Sequence, residues 1–344
     1  MSTTTVVVEH AESKNKTKTS KKALTCLHSK DKDKEGPLYF ALKYIDALIQ
    51  NVTKTNIPPE IDLIFDSGGF NGLYGQGIAL YVSRLEKANY FKVKRVSGAS
   101  IGSLLALMYL IDIEYNLDKA YSEIKTKFQS TCSMKEYRNQ VRHFVVNYVD
   151  DSKIKQLNDR LFITYYDVLN KKQIVVSKYD SKEHLIECII RSSHFPFISD
   201  DTLFYKKQYL DGAHPYIFND SSRPGLFITL VTPYTIASTF SSDCEKNTHS
   251  RVIRGISDAN DFFVKGSSNL CSYTSKWNLK DRLLLRLREF LIYFLIFVIH
   301  YMYTIQSKIP SHVTALIFDS IFMQGLIKSS WGLYTDIISN FIIF

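Results

Sequence analysis

The sequence predicts an α/β fold in which buried strands alternate with helices to form a layered α/β/α sheet. Three runs of residues lead to this prediction. Residues 61–65 form a short, apolar, β-prone run that follows two consecutive prolines. Residues 93–96 lead through a glycine-flanked turn into the apolar run 104–108. Residues 226–231 are too uniformly apolar for an edge strand, which indicates a place inside the sheet.

The segments around these strands have the apolar spacing of amphipathic helices. Four segments show it, namely residues 38–52, 73–88, 117–128 and 134–149. We expect the first of them to lead into the core domain. Residues 174–177 predict a further strand, whereas residues 150–160 are polar and are expected at the surface.

The turn after the second predicted strand reads Gly98-Ala99-Ser100-Ile101-Gly102. A serine at the apex of a strand–turn–helix extends its hydroxyl beyond the sheet, and the flanking glycines let neighbouring backbone approach. The new helix offers free N–H groups and its positive dipole end to a developing negative charge. These features predict a nucleophile elbow and a serine acyl hydrolase. The alternative is a plain glycine-rich turn in which Ser100 caps the helix.

A second glycine cluster, Gly68-Gly69-Phe70-Asn71-Gly72, follows the first predicted strand. Acyl transfer needs donors for the tetrahedral oxyanion, and backbone N–H groups in a glycine loop at a helix start can supply them. We therefore expect the oxyanion hole at Gly68, Gly69, Phe70 and Gly72. A tight turn or a phosphate-binding loop is the alternative, although the Gly-Lys-Ser/Thr sequence of a P-loop is missing.

A third motif, Asp211-Gly212-Ala213, completes an ordered series. The order of glycine loop, G-x-S-x-G and Asp-Gly-Ala resembles the patatin-like phospholipases, and residues 69–74 are most similar to the animal triglyceride-lipase branch of that family. Residues 191–197 also resemble the family's segment of small residues and proline before the aspartate. The resemblance covers roughly residues 57–231. It implies a three-layer α/β/α fold with a mostly parallel central sheet.

The resemblance also implies the chemistry of the site. Ser100 would be the nucleophile and Asp211 its proton acceptor, in a dyad without histidine that forms and then hydrolyses an acyl-enzyme. The implied substrates are phospholipid or glyceride esters, and neither a cofactor nor a metal is expected. Two positions depart from the family pattern, since Ser67 replaces a glycine and Asn71 replaces the arginine of plant and bacterial members. These departures support an alternative function, a catalytically weak patatin-like lipid-binding or membrane-associated protein.

A histidine-containing triad is the competing site. In α/β-hydrolases the histidine follows the acid in the sequence, and His214 and His249 both follow Asp211. His249 ends the polar segment 241–249 and is expected in an exposed loop. His194 and His214 flank the motif and are expected to shape or line the site.

Composition bounds the class of protein and its compartment. The chain has 344 residues, is 45% apolar and 22% charged, and carries a net charge of +9. Its five cysteines are odd in number and lack C-x-x-C spacing, which argues against a disulfide framework and a zinc site and favours a reducing compartment rather than secretion. Residues 1–36 are lysine-rich and are expected to form a mobile tail. Without interleaved aromatics, this charge favours anionic lipid over nucleic acid.

The last segment, residues 277–344, differs from the predicted hydrolase domain at 37–276. Residues 279–288 are basic and amphipathic, and residues 290–305 carry no charge apart from the titratable His300. This run is close to the lower limit of about 17 residues for a membrane span. It predicts a hydrophobic helical extension that lies in the cytoplasmic face of a membrane. The alternative is a lid that packs on the core.

Overall fold

The computed structural model describes residues 37–54, 57–113, 117–131, 133–196, 198–200, 202–218, 223–232, 235 and 249–308. The chain divides into two compact units, Met1–Trp277 and Asn278–Phe344. The predictions for residues 1–36, 241–248 and 309–344 lie outside the described residues.

A single sheet organises the described part of the first unit. Its seven strands are β1 Glu60–Phe65, β2 Lys92–Ala99, β3 Leu161–Asp167, β4 Lys172–Val176, β5 Tyr209–Asp211, β6 Gly225–Ile228 and β7 Cys271–Tyr273. The strand order is β4-β3-β2-β1-β6-β7, and β5 also pairs with β3. The central strands β1, β2, β3 and β6 run parallel, whereas β4, β5 and β7 are antiparallel to their partners. The sheet is therefore mixed but largely parallel, which agrees with the expectation of a mostly parallel central sheet.

The predicted strands are confirmed, and they place the two glycine-rich turns side by side. Phe65, the last residue of β1, pairs with Gly98 in β2. Because both strands are parallel, the loops that follow them leave the sheet at the same edge. The strand at 226–231 is also interior as predicted, since β6 pairs with β1 on one side and with β7 on the other.

Eight helices accompany the sheet among the described residues of this unit. They are α1 Pro37–Leu48, α2 Gly72–Lys87, α3 Ile101–Leu110, α4 Asp118–Thr131, α5 Lys135–Tyr148, α6 Asp151–Leu157, α7 Lys182–Ser192 and α8 His249–Lys265. Short 3-10 turns cover Ile49–Asn51, Gly69–Asn71 and Thr274–Lys276. The four predicted amphipathic helices correspond to α1, α2, α4 and α5. The arrangement of helices in three layers stays a prediction.

The polar segment 150–160 was only partly predicted. Asp159 and Arg160 are exposed as expected. The residues before them nevertheless form helix α6, which buries Ile154 and Leu157. Two apolar residues on one face are enough to pack a short polar helix against the core. In the sequence, their spacing is less conspicuous than the charged residues around them.

Helices α2 and α8 approach each other so closely that their backbones touch. A Cβ placed on Gly77 would lie 2.1 Å from the carbonyl oxygen of Val252, and one on Gly255 would lie 2.1 Å from that of Tyr74. Glycine is required on both helices because any side chain would separate them. This contact brings the start of α8 to the start of α2, next to the glycine loop.

The second unit is described by one helix, α9 Leu279–Lys308. It joins the basic segment 279–288 and the apolar segment 290–305 without a break, so the two predicted elements are one. Among the described residues, no helix is long and apolar enough to cross a membrane.

Candidate active site

Ser100 lies at the sharp turn between β2 and α3. Its backbone has φ 53° and ψ −128°, a strained conformation for a residue with a side chain. The flanking glycines make the turn possible. A Cβ on Gly98 would lie 2.2 Å from the carbonyl oxygen of Gly102, and one on Gly102 would lie 2.5 Å from that of Asp66. The predicted strand–turn–helix elbow at Ser100 is thus present.

Asp211 is the last residue of β5, and backbone contacts hold it in place. Its N–H donates to the carbonyl oxygen of His194 at 2.8 Å, and the Gly212 N–H donates to that of Ser192 at 3.2 Å. The Oδ1 atom accepts the N–H of Ala213 at 2.8 Å. The strand β5 therefore ends with its carboxylate fixed between the end of α7 and its own turn.

The structure brings Ser100 and Asp211 together. The Ser100 side chain lies within interaction range of the Asp211 carboxylate, which is half-buried. Burial raises the pKa of Asp211 to about 6, and the nearby Asp66 carboxylate raises it further, while the bonds from Ser100 and Ala213 lower it. A carboxyl group with a pKa near neutrality is a stronger base than an ordinary aspartate and is still ionised at pH 7.

Ser192, the last residue of α7, supports the elbow directly. Its buried Oγ accepts the N–H of Ser100 at 2.9 Å. The Ser192 carbonyl oxygen accepts the N–H of Gly212, so Ser192 contacts both Ser100 and the turn that follows Asp211. Sequence reasoning did not identify this role. The signal available was the run of small residues in the segment 191–197.

The glycine loop lies against the elbow. A Cβ on Gly72 would lie 2.7 Å from Cγ1 of Ile101, so the starts of α2 and α3 are in contact. Gly69 has φ 51°, the left-handed region that favours glycine. The first amides of the 3-10 turn Gly69–Asn71 and of α3 have no intrahelical acceptor. The loop that contains Gly68, Gly69, Phe70 and Gly72 is therefore adjacent to Ser100, while its role as an oxyanion hole stays a prediction.

The two departures from the family pattern both have structural partners. The Ser67 hydroxyl donates to the carbonyl oxygen of Ala213 at 2.7 Å and so joins the glycine loop to the turn after Asp211. The buried Asn71 amide donates to the carbonyl oxygens of Leu230 and Thr235, each at 2.9 Å. Both side chains thus stabilise the loops of the site.

The histidines occupy supporting positions. His249 is the first residue of α8 and is half-buried, which corrects the expectation of an exposed loop residue. His194 is buried, and its Nδ1 lies 2.9 Å from Nη2 of Arg138. Burial lowers the pKa of His194 to about 4. Among the described residues, no histidine is one of the groups that perturb Asp211.

His214 and His194 shape the site through their backbones. The His214 carbonyl oxygen accepts the Thr164 hydroxyl at 2.8 Å, and the His194 carbonyl oxygen accepts the Asp211 amide. In the part of the chain that the structure describes, no group of three or more His, Cys, Asp or Glu residues could hold a metal ion.

These features define a class of protein, an α/β protein with a serine at a strand–turn–helix elbow and a half-buried aspartate beside it. Residues 63–220 match the family model described as Patatin-like phospholipase. This part of the chain is thus similar to the patatin-like phospholipase family.

Two curated proteins are similar to part of the chain. Omega-hydroxyceramide transacylase of Mus musculus is 24% identical over 160 residues, which are 43% of this chain and 26% of the relative. Patatin-like phospholipase domain-containing protein 4 of Homo sapiens is 28% identical over 162 residues, which are 44% of this chain and 64% of the relative. The chain thus covers less than two thirds of either relative. No solved structure gives a significant match.

Proposed function

We propose that the chain is a lipid acyl hydrolase that cleaves carboxylic ester bonds of phospholipids or glycerides. The match of residues 63–220 to the family model supports the reaction class. The observation that carries the proposal is the position of Ser100 at the elbow, within interaction range of the half-buried Asp211 carboxylate. A hydroxyl next to a carboxylate in a water-poor site is the arrangement that acyl transfer through serine needs.

In the proposed mechanism, Asp211 accepts the Ser100 proton as the serine oxygen attacks the ester carbonyl. The tetrahedral oxyanion forms beside the starts of α2 and α3, where free amides can stabilise it. Asp211 then protonates the departing alcohol, and an acyl-enzyme remains on Ser100. In the second half, Asp211 takes a proton from water, the water oxygen attacks the acyl carbonyl, and the fatty acid leaves while Ser100 regains its proton.

A fluorophosphonate probe tests this proposal, because it reacts only with an activated serine. We expect covalent labelling that peptide mapping assigns to Ser100, together with free fatty acid release from phospholipid vesicles or a triglyceride emulsion. Cooperative unfolding should first show that the purified chain is folded. If such a chain gives neither probe labelling nor fatty acid release, the alternative of a catalytically weak lipid-binding protein is favoured.

We further propose that α9 attaches the chain to an anionic membrane surface. Large apolar side chains on this helix follow each other at alternating intervals of four and three residues, which places them on one stripe: Leu283, Leu287, Phe290, Phe294, Phe297 and Tyr301. Four basic residues of the same helix provide charge for lipid headgroups: Lys280, Arg282, Arg286 and Arg288. A helix of this kind lies in the interface rather than crossing it. Placement on the cytoplasmic face stays a prediction.

Cosedimentation with vesicles that contain phosphatidylserine tests the membrane proposal. The variant in which Phe290, Phe294 and Phe297 are all changed to Ser should bind about 100-fold more weakly, since partial insertion of each ring contributes about 1 kcal/mol. Phe40→Ser is the matched control, because Phe40 of α1 is also highly exposed (61%). Equal binding by the triple variant and the control would contradict the attachment through α9.

A further inference from the structure

A buried arginine lies beside the glycine loop. Arg251, in the first turn of α8, is only 1% exposed. Its Nη1 donates to the Phe70 carbonyl oxygen at 2.9 Å and to the Tyr121 hydroxyl at 3.2 Å. The rings of Tyr74 and Tyr121 lie 5.7 and 5.9 Å from its Cζ. Because burying a cation costs free energy, the buried guanidinium of Arg251 indicates a specific role for this residue.

Phe70 is the residue of the glycine loop that this contact fixes. Its ring packs on Tyr121 and on Phe128, with centroids 6.1 and 5.1 Å apart. The N–H of Asn71, in the same peptide unit as the Phe70 carbonyl, donates to the Gly68 carbonyl oxygen at 2.9 Å. Because the ring and the carbonyl group of Phe70 are both held, the orientation of the Phe70 backbone N–H is fixed.

Asn71 does not provide this support from within the loop. Its side-chain amide donates to the carbonyl oxygens of Leu230 and Thr235 and brings no charge. The positive charge at the loop comes from α8 instead. The close contact of α2 and α8 through Gly77 and Gly255 is what brings Arg251 within reach of Phe70.

We propose that Arg251 is a positioning residue of the oxyanion loop, which holds the Phe70 peptide so that the loop amides face the tetrahedral intermediate on Ser100. The inference rests on the proposed hydrolase function. A charged donor makes a stronger bond to a carbonyl oxygen than a neutral one. Amides held in advance need no reorganisation when the oxyanion forms, and this advantage exists only in the transition state. The effect of Arg251 therefore falls on kcat rather than on KM.

Kinetics of two substitutions on a soluble short-chain ester test this role. Arg251→Met keeps most of the volume without the charge or the donors, and we expect kcat to fall about 10²-fold while KM changes by less than about twofold. Arg251→Lys keeps the charge and should recover part of kcat. Arg84→Met is the matched control, since Arg84 on α2 pairs with Asp46 at 3.6 Å and should keep kcat within about twofold.

The pH profile separates positioning of the loop from general distortion. Arg251 is not among the groups that set the protonation of Asp211, so the acid limb of kcat/KM should keep its midpoint in Arg251→Met. If that variant does not fold, Tyr121→Phe, which removes one acceptor of Arg251 and keeps the ring, should still lower kcat with an unchanged midpoint. A folded Arg251→Met enzyme with wild-type kcat, or a loss that comes with a shifted midpoint, would overturn the role. A wild-type chain without esterase activity would instead defeat the proposed function.

Discussion

Replacing Ser100 by alanine should reduce ester hydrolysis at least about 10³-fold, because the acyl group then has no oxygen to which it can transfer. Labelling by a fluorophosphonate should disappear as well. The fold should persist, since the elbow depends on Gly98 and Gly102 rather than on the serine hydroxyl. Fatty acid release and thermal unfolding of the purified variant measure the two effects.

Ser100→Gly is the informative companion of the alanine variant. Both variants lack the nucleophile, but glycine adopts the observed φ of 53° without strain. We expect Ser100→Gly to be more stable than Ser100→Ala by about 1 kcal/mol. Ser83→Ala, a half-buried serine of α2, serves as the active control. More than a tenth of the wild-type activity in Ser100→Ala would contradict the assignment of the nucleophile.

The parts of the site that could be predicted from the sequence are the local ones. At the elbow, a Cβ on Gly98 or Gly102 would lie 2.2 or 2.5 Å from backbone, and in the glycine loop one on Gly68 or Gly72 would lie 2.5 or 2.7 Å from the side chains of Leu230 and Ile101. These requirements are visible in a single sequence because they place glycines at fixed positions of two short motifs.

The contact between Ser100 and Asp211 depends instead on pairing between distant strands. Asp211 reaches the elbow because β5 pairs antiparallel with β3, which itself lies beside β2. Neither β3 nor β5 was predicted as a strand, and strand partners are not encoded locally. The resemblance to the family, not the spacing, identified Asp211.

The two supporting residues, Ser192 and Arg251, also differ in how visible they are in the sequence. Ser192 acts through one hydroxyl at a helix end, for which the sequence gives only the weak signal of small residues. Arg251 could have been noticed, because it lies four residues before Gly255 and eight before Ala259 on the buried face of α8. A charged residue on an apolar helical face is an informative exception to amphipathic spacing.

Asp211→Asn should abolish most activity and yet stabilise the protein. The amide cannot accept the Ser100 proton, so hydrolysis should fall at least about 10³-fold. The amide oxygen can still accept the N–H of Ala213, which preserves the turn. At pH 8, however, the wild-type protein must keep the partly desolvated Asp211 carboxylate ionised, and the variant has no such charge.

The size and direction of this stabilisation follow from the pKa of Asp211, which is 3.8 for the exposed group and about 6 in the fold. As the pH rises from 4 to 6, the unfolded chain loses this proton first, so wild-type stability falls by about 3 kcal/mol at 1.36 kcal/mol per pKa unit. Chemical denaturation should therefore show equal stabilities near pH 4 and an advantage for Asp211→Asn that grows up to about pH 7. The wild-type kcat/KM should rise over the same interval, with a midpoint near pH 6.

Asp167→Asn is the matched control, because its effect should have the opposite sign. Burial opposes the ionisation of Asp167, but hydrogen bonds from Asn170 and Gln208 outweigh it and lower the pKa of this carboxyl group. Asp167→Asn should thus destabilise the protein at neutral pH, and the difference should shrink in acid. If Asp211→Asn is also less stable than the wild type at pH 8, Asp211 is a structural carboxylate in a favourable environment. If Asp211 is instead a base whose ionised form is destabilised by desolvation, Asp211→Asn should raise the stability of the protein and lower its activity.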